Sequence, residues 1–189
     1  MKENNEHSIR KVRFFFLLTF IYSWLLWLPF VLSGFGVIHL SEAAAALMTP
    51  AVALGAFGPL ISAIILIVYE SGWSGLKKFF RKTLDLRVKP LYYVIAVLLP
   101  VLLTAIAHYS VNFTGIDTLP ANLFPEDLGV PVILLVVPYF IFILIAGGGQ
   151  EEFGWRGYAQ DILQHHFGIL RGSVLIGLTW GVWHIPLWF

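Results

Sequence analysis

Between Phe14 and Ser33 the chain runs for twenty residues without one charged side chain. Further runs without Asp, Glu, Lys or Arg extend from Ala43 to Tyr69, from Leu91 to Val111, from Val130 to Ala146 and from Gly172 to Phe189. A helix that crosses the hydrocarbon core of a bilayer needs about 20 mostly apolar residues. The pattern therefore predicts an all-α, polytopic membrane protein with about five transmembrane helices. The second run is long and is interrupted by Pro50 and by Gly58-Pro59. Composition agrees, because charged residues make up 12% of the chain against about 25% in soluble domains. The first run is too long for the apolar core of a signal peptide, and no small-residue cleavage site follows it directly.

The twelve lysines and arginines give the orientation. Four precede the first run (Lys2, Arg10, Lys11, Arg13), six follow the second (Lys77, Lys78, Arg81, Lys82, Arg87, Lys89), and Arg156 and Arg171 follow the fourth. Starting the chain in the cytoplasm puts all of them on that side. The segments 34–42 and 112–129 hold Glu42, Asp117, Glu126 and Asp127 and no lysine or arginine, so they fall outside. A net charge of +1 gives no reason to expect a nucleic-acid partner, and membrane lipids are the expected surroundings. With no cysteine, disulfides, thiolate metal sites and cysteine nucleophiles are excluded.

Residues 71–90 mix those basic residues with Leu76, Phe79, Phe80 and Leu84 at helical spacing. Two readings stand side by side: an amphipathic helix on the anionic inner leaflet, and an ordinary cytoplasmic connector.

The fourth run ends at an unusual place, "GGGQEEFGWRGY" from Gly147 to Tyr158. If residues 150–165 continue the fourth helix, Glu152 and Arg156 lie at i, i+4 and can pair. Glu151 then points about 100° away around the axis. A carboxylate held from water without its own cation is suited to act as a general base near neutral pH. The bland reading is a solvated helix end. Against it, Phe153, Trp155, Tyr158, Ile162 and Leu163 continue the apolar sequence past the charges. Gly147, Gly148 and Gly149 allow close helix approach or a kink.

His184 lies deep in the last apolar run, where an ionisable residue is a functional-site hypothesis by default. The midpoint of positions 151 and 184 falls between Phe167 and Gly168, inside "HHFGILRG", which reads as a turn. Counted about 1.5 Å per residue from that turn, Glu151 and His184 sit at one depth on facing helices, roughly 20 Å away. An acid/base pair inside the membrane is the expected arrangement.

At these residues the sequence resembles the CPBP family of intramembrane proteases, which includes type II CAAX prenyl endopeptidases and bacteriocin-processing or immunity-associated homologues. "EEFGWR" fits the family's E-E-x-x-x-R motif. "WGVWH" fits its F-x-x-x-H motif, with Trp180 where phenylalanine is commoner, and "FGPLISAII" is also similar. The resemblance is clearest from about Ile133 onward. It divides the chain into N-terminal transmembrane helices, 1–129, and a partial protease core, 130–189. It implies that Glu151 activates water, that His184 assists as a second polar arm or metal ligand, and that Glu152, Arg156 and Trp180 support them. The family's third motif, H-x-x-x-N or H-x-x-x-D on a later helix, supplies oxyanion-stabilising groups. It does not follow His184 here, so the chain is expected to be a truncated piece of a longer protease. "HYSVN", His108 to Asn112, has the spacing but precedes the glutamates and is read as coincidence.

A divalent metal such as zinc is compatible with Glu151 and His184, yet they supply two of the three protein ligands a catalytic zinc expects. There is no H-E-x-x-H helix. A metal-free, glutamate-activated water fits equally. The implied function is an endopeptidase acting on a membrane-associated peptide or protein at a bacterial plasma membrane. The alternatives are a non-catalytic immunity or scaffold protein and a small proton-coupled transporter.

Overall fold

A computed structural model describes residues 2–112, 131–146 and 148–188. The acidic segment that carries Asp117, Glu126 and Asp127, with Gly147 and Phe189, lies outside the described residues. The described chain is helical, with no strand among the described residues. In order come α1 (Lys2–Gly34), α2 (Glu42–Ala45), α3 (Met48–Gly55), α4 (Gly58–Thr83), α5 (Pro90–Asn112), α6 (Val132–Ala146) and α7 (Gly149–Gly154). A π turn (Trp155–Gln160), α8 (Asp161–Phe167), α9 (Ile169–Trp183) and a 3-10 turn (Ile185–Trp188) complete it.

Among the described residues three helices are long and apolar enough to cross a bilayer: Ile9–Gly34, Gly58–Thr83 and Pro90–Val111. The protein is thus an all-α polytopic membrane protein. Two of the five expected spans come out shorter. α6 and α9 have 15 residues each, about 22 Å at 1.5 Å per residue. Gly148, at φ 154°, stops the α6 direction. Pro186 forbids an α-helical continuation of α9, which gives way to the 3-10 turn just after His184. The long second run divides likewise into α2, α3 and α4. Ser41 caps α2 by accepting from the Ala44 N–H at 3.3 Å, and Gly58-Pro59 opens α4, where a missing N–H costs nothing.

The chain forms two compact units, Met1–Thr83 with Val137–Phe189, and Leu84–Val136. In the first, α1 turns Val12, Phe15, Thr19, Ser23 and Trp27 inward, a stripe at steps of three and four. Its small members admit α3 and α4. A Cβ on Gly58 would lie 2.2 Å from Ser23 Oγ, and one on Gly55 would lie 2.1 Å from Trp27 Nε1. Ser23 Oγ–H donates to the Gly55 carbonyl at 2.8 Å. In the second unit, Tyr93 donates its hydroxyl to the Leu86 carbonyl at 2.5 Å, fastening the start of α5 to the preceding segment.

The basic segment 71–83 is helical. Gly72, at φ 63°, kinks α4 there. Three of its apolar positions serve the protein itself, with Leu76 buried and Phe79 and Phe80 packed on the core, while Trp73 stays exposed. Gly157 accommodates this contact, since a Cβ there would reach Thr83 and Phe79. Lys77, Lys78 and Arg81 stay exposed, and Lys82 pairs with Asp161.

Candidate active site

The expected continuous helix through the glutamates is broken. After α6 the chain turns at Gly148 and restarts as the six-residue α7. Gly149 must be glycine here, because a Cβ would fall 1.9 Å from the Leu144 carbonyl oxygen. The Gln150 side chain accepts from the Gly148 N–H at 3.1 Å and is buried, which steadies the turn. One turn later Gly154 lies against the start of α4, where a Cβ would meet the Pro59 backbone at 2.4 Å. The two stretches "FGPL" and "EEFGW" are thus pressed together.

Trp155 then enters the core, edge-on to Phe15 at 5.5 Å and to Trp183 at 5.7 Å between ring centroids. The helix widens into the π turn at this point; such turns recur at functional sites. Phe167 and Ile169 are separated by Gly168 alone, at φ 84° and ψ 163°, so α8 and α9 reverse where the turn was expected. Trp183 is fully buried; its carbonyl accepts from Trp24 Nε1 at 3.0 Å and its ring meets Trp27 at 4.9 Å. α1 therefore holds the end of α9, and with it His184.

Glu151 and His184 line one cavity of about 310 Å³ with Glu152, Trp180, Gly148, Gly149 and the α6 residues Phe140, Ile143 and Leu144. Glu151 is 8% exposed. Among the described residues no cation pairs with it, and its Oε2 accepts from the Trp180 indole N–H at 3.2 Å. The His184 ring lies between Trp180 and Trp183, with centroids at 4.3 and 4.6 Å. Its Nδ1 is 2.9 Å from the Trp180 carbonyl. A carbonyl only accepts, so Nδ1 donates here, and of the two neutral tautomers this bond selects the one whose Nε2 keeps a lone pair. Glu152 pairs with Arg156 at i, i+4, and this pair lies at the surface, with side chains 44% and 66% exposed. The adjacent carboxylates thus have separate environments, one buried without a cation and one neutralised at the surface.

Glu151, His184 and Trp180 come together, and Glu152 reaches the cavity rim. The donor set is short for a resident metal. Among the described residues no three histidine, cysteine or carboxylate side chains converge, and Glu151 with His184 offers two ligands where catalytic zinc uses three. Sequence reasoning missed the apolar wall, although Phe140, Ile143 and Leu144 share one helical face at steps of three and four. It also missed Glu70, the charge that ends the second apolar run, which accepts from Lys11 Nζ at 2.7 Å and from the Tyr158 hydroxyl at 3.4 Å.

Residues 133–189 match the family model described as Type II CAAX prenyl endopeptidase Rce1-like. The chain is similar to "CAAX prenyl protease 2" of Methanococcus maripaludis, 29% identical over 179 residues, which is 94% of this chain and 62% of that protein. It is also similar to "Lysostaphin resistance protein A" of Staphylococcus haemolyticus, 26% identical over 125 residues, 66% of this chain and 32% of that protein. The chain thus spans less than two thirds of the length of either relative. The family model reaches from α6 to beyond His184, across both halves of the cavity, and with the two relatives it supports membership of the CPBP family.

Proposed function

We propose that this chain carries the proteolytic centre of a CAAX-protease-like intramembrane endopeptidase. The observation behind the reading is the buried, cation-free Glu151 sharing a cavity with His184. Glu151 takes a proton from a water molecule, and the water oxygen attacks the scissile carbonyl of a membrane-associated peptide. Glu151 then returns the proton to the departing amine, so the C–N bond breaks with no net change at the enzyme. The His184 Nε2 lone pair accepts the water's second hydrogen and orients it. The apolar wall of Phe140, Ile143 and Leu144 favours an apolar side chain beside the scissile bond, and the volume is at the lower end for ligand pockets.

The test is cleavage of a membrane-anchored peptide by the natural gene product in proteoliposomes. Loss of a general base costs about 10²–10⁴-fold in rate. Glu151→Gln should lose that much at unchanged folded yield, and His184→Ala should also be impaired. Full cleavage by Glu151→Gln removes Glu151 from the mechanism. One observation favours a second reading, a membrane resistance factor that works without cleavage: the likeness to a protein named for lysostaphin resistance supports the resistance part of it. That reading gains if Glu151→Gln leaves a resistance phenotype intact.

The N-terminus is placed in the cytoplasm, on the strength of the basic residues. Single cysteines replacing Lys78 and Thr118 should be labelled by an impermeant maleimide from opposite sides of the membrane. Labelling of both from one side overturns this orientation.

A further inference from the structure

Trp180 touches both groups of the proposed centre. Its indole N–H donates to Glu151 Oε2 at 3.2 Å, and its carbonyl accepts from His184 Nδ1–H at 2.9 Å. Its ring meets the imidazole at 4.3 Å and lines the same cavity. The remaining charges nearby belong to Glu152, which is neutralised by Arg156. Among the described residues the indole N–H is the side-chain donor that reaches Glu151. One residue therefore holds the carboxylate with its side chain and the imidazole with its backbone.

We propose that Trp180 is a positioning residue that sets both groups at once. Its N–H turns the Glu151 carboxylate so that Oε1 is left for the water, and its carbonyl holds His184 in the tautomer that leaves Nε2 unprotonated. The catalytic part rests on the endopeptidase reading; the contact itself does not. Because the two tasks use different atoms of Trp180, they can be separated. Phenylalanine at 180 keeps the carbonyl and an aromatic ring and loses the N–H together with part of the ring system. The isosteric benzothienylalanine keeps the shape as well.

The first arm uses the natural gene product in nanodiscs with its indoles isotope-labelled. The Trp180 N–H resonance is identified by its absence in Trp180→Phe. It should shift in Glu151→Gln, where a charged acceptor becomes neutral, and stay in place in Glu152→Gln. A resonance unmoved by Glu151→Gln, or moved equally by both variants, overturns the contact. The second arm is cleavage kinetics. Trp180→Phe and the benzothienyl variant should each lose about tenfold in kcat at unchanged KM, the size of one hydrogen bond to a charged group. Wild-type kcat in both overturns the positioning role. Absence of cleavage by the parent protein sinks the endopeptidase reading, and the resonance then decides the Trp180 contact by itself.

Discussion

α1 and the stretch from Gly148 to Phe167 are both rich in aromatic residues, and they use them in opposite ways. α1 is one helix of 33 residues whose inward stripe repeats at steps of three and four. The stretch from Gly148 changes its backbone three times in twenty residues, from a glycine break to an α turn, a π turn and a second α segment. Regularity in α1 makes a wall on which Trp155 and Trp183 can lean. In the second region the 100° step of α7 separates the neighbouring glutamates, and the break at Gly148 gives that helix its own direction, so that Glu151 is buried while Glu152 reaches the surface. The lesson is a division of labour: the wall holds by packing, and the broken segment aims the chemistry.

The strongest way to break that contrast is to cut the wall. Trp27 is buried against Trp183 and donates to the Val52 carbonyl at 3.3 Å. Trp27→Ala should destabilise the protein by about 3–5 kcal/mol, read as a lowered unfolding midpoint in detergent. A change under about 1 kcal/mol would show the stripe to be passive.

A smaller effect sharpens the other side. Gly154→Ala places a methyl 2.4 Å from the Pro59 backbone and should cost about 1–3 kcal/mol by overpacking. Because it pries α7 from α4, cleavage should fall further than the fraction of folded protein. Activity that tracks folding alone would mean α7 is not held by that contact.

The smallest effect belongs to Arg156. The Glu152 pair lies at the surface, so Arg156→Ala should cost under about 1 kcal/mol, as exposed pairs do. A loss of several kcal/mol in the same melting experiment would put the pair in an apolar setting and erase the difference between the two glutamates.

The wall and the site differ as much in how they could be read. α1 was legible as a span because a run of twenty uncharged residues is a property of sequence alone; which of its residues turn inward was not. The reversal at Gly168 was legible for a similar reason, since a glycine beside a basic residue between two apolar runs marks a turn. The meeting of Glu151 with His184 followed from counting residues to that turn. The break at Gly148 was not legible in detail, because three successive glycines permit a kink without saying where it falls. The π turn left no local signal, as "WRGYAQ" suits an α-helix equally well. The inward face of the basic segment escaped because an amphipathic pattern shows that an apolar face exists, and only the fold shows that α7 and the π turn cover it. Trp180 stood out by its place in a motif, and its bond to Glu151 depends on the orientation of an indole that sequence does not encode.

The π turn between Trp155 and Gln160 has a consequence for counting. Its hydrogen bonds span five residues instead of four, so the chain carries surplus length there and advances less around its axis per residue. A helical wheel drawn from Glu151 therefore slips out of phase before Leu163. The two ends of the segment are geared separately: one end presents Glu151, and the other meets α9, where Gln164 donates to Ser173 at 2.9 Å. Like a spare link in a chain drive, that slack lets one end be re-timed by a single insertion or deletion while the other keeps its angle.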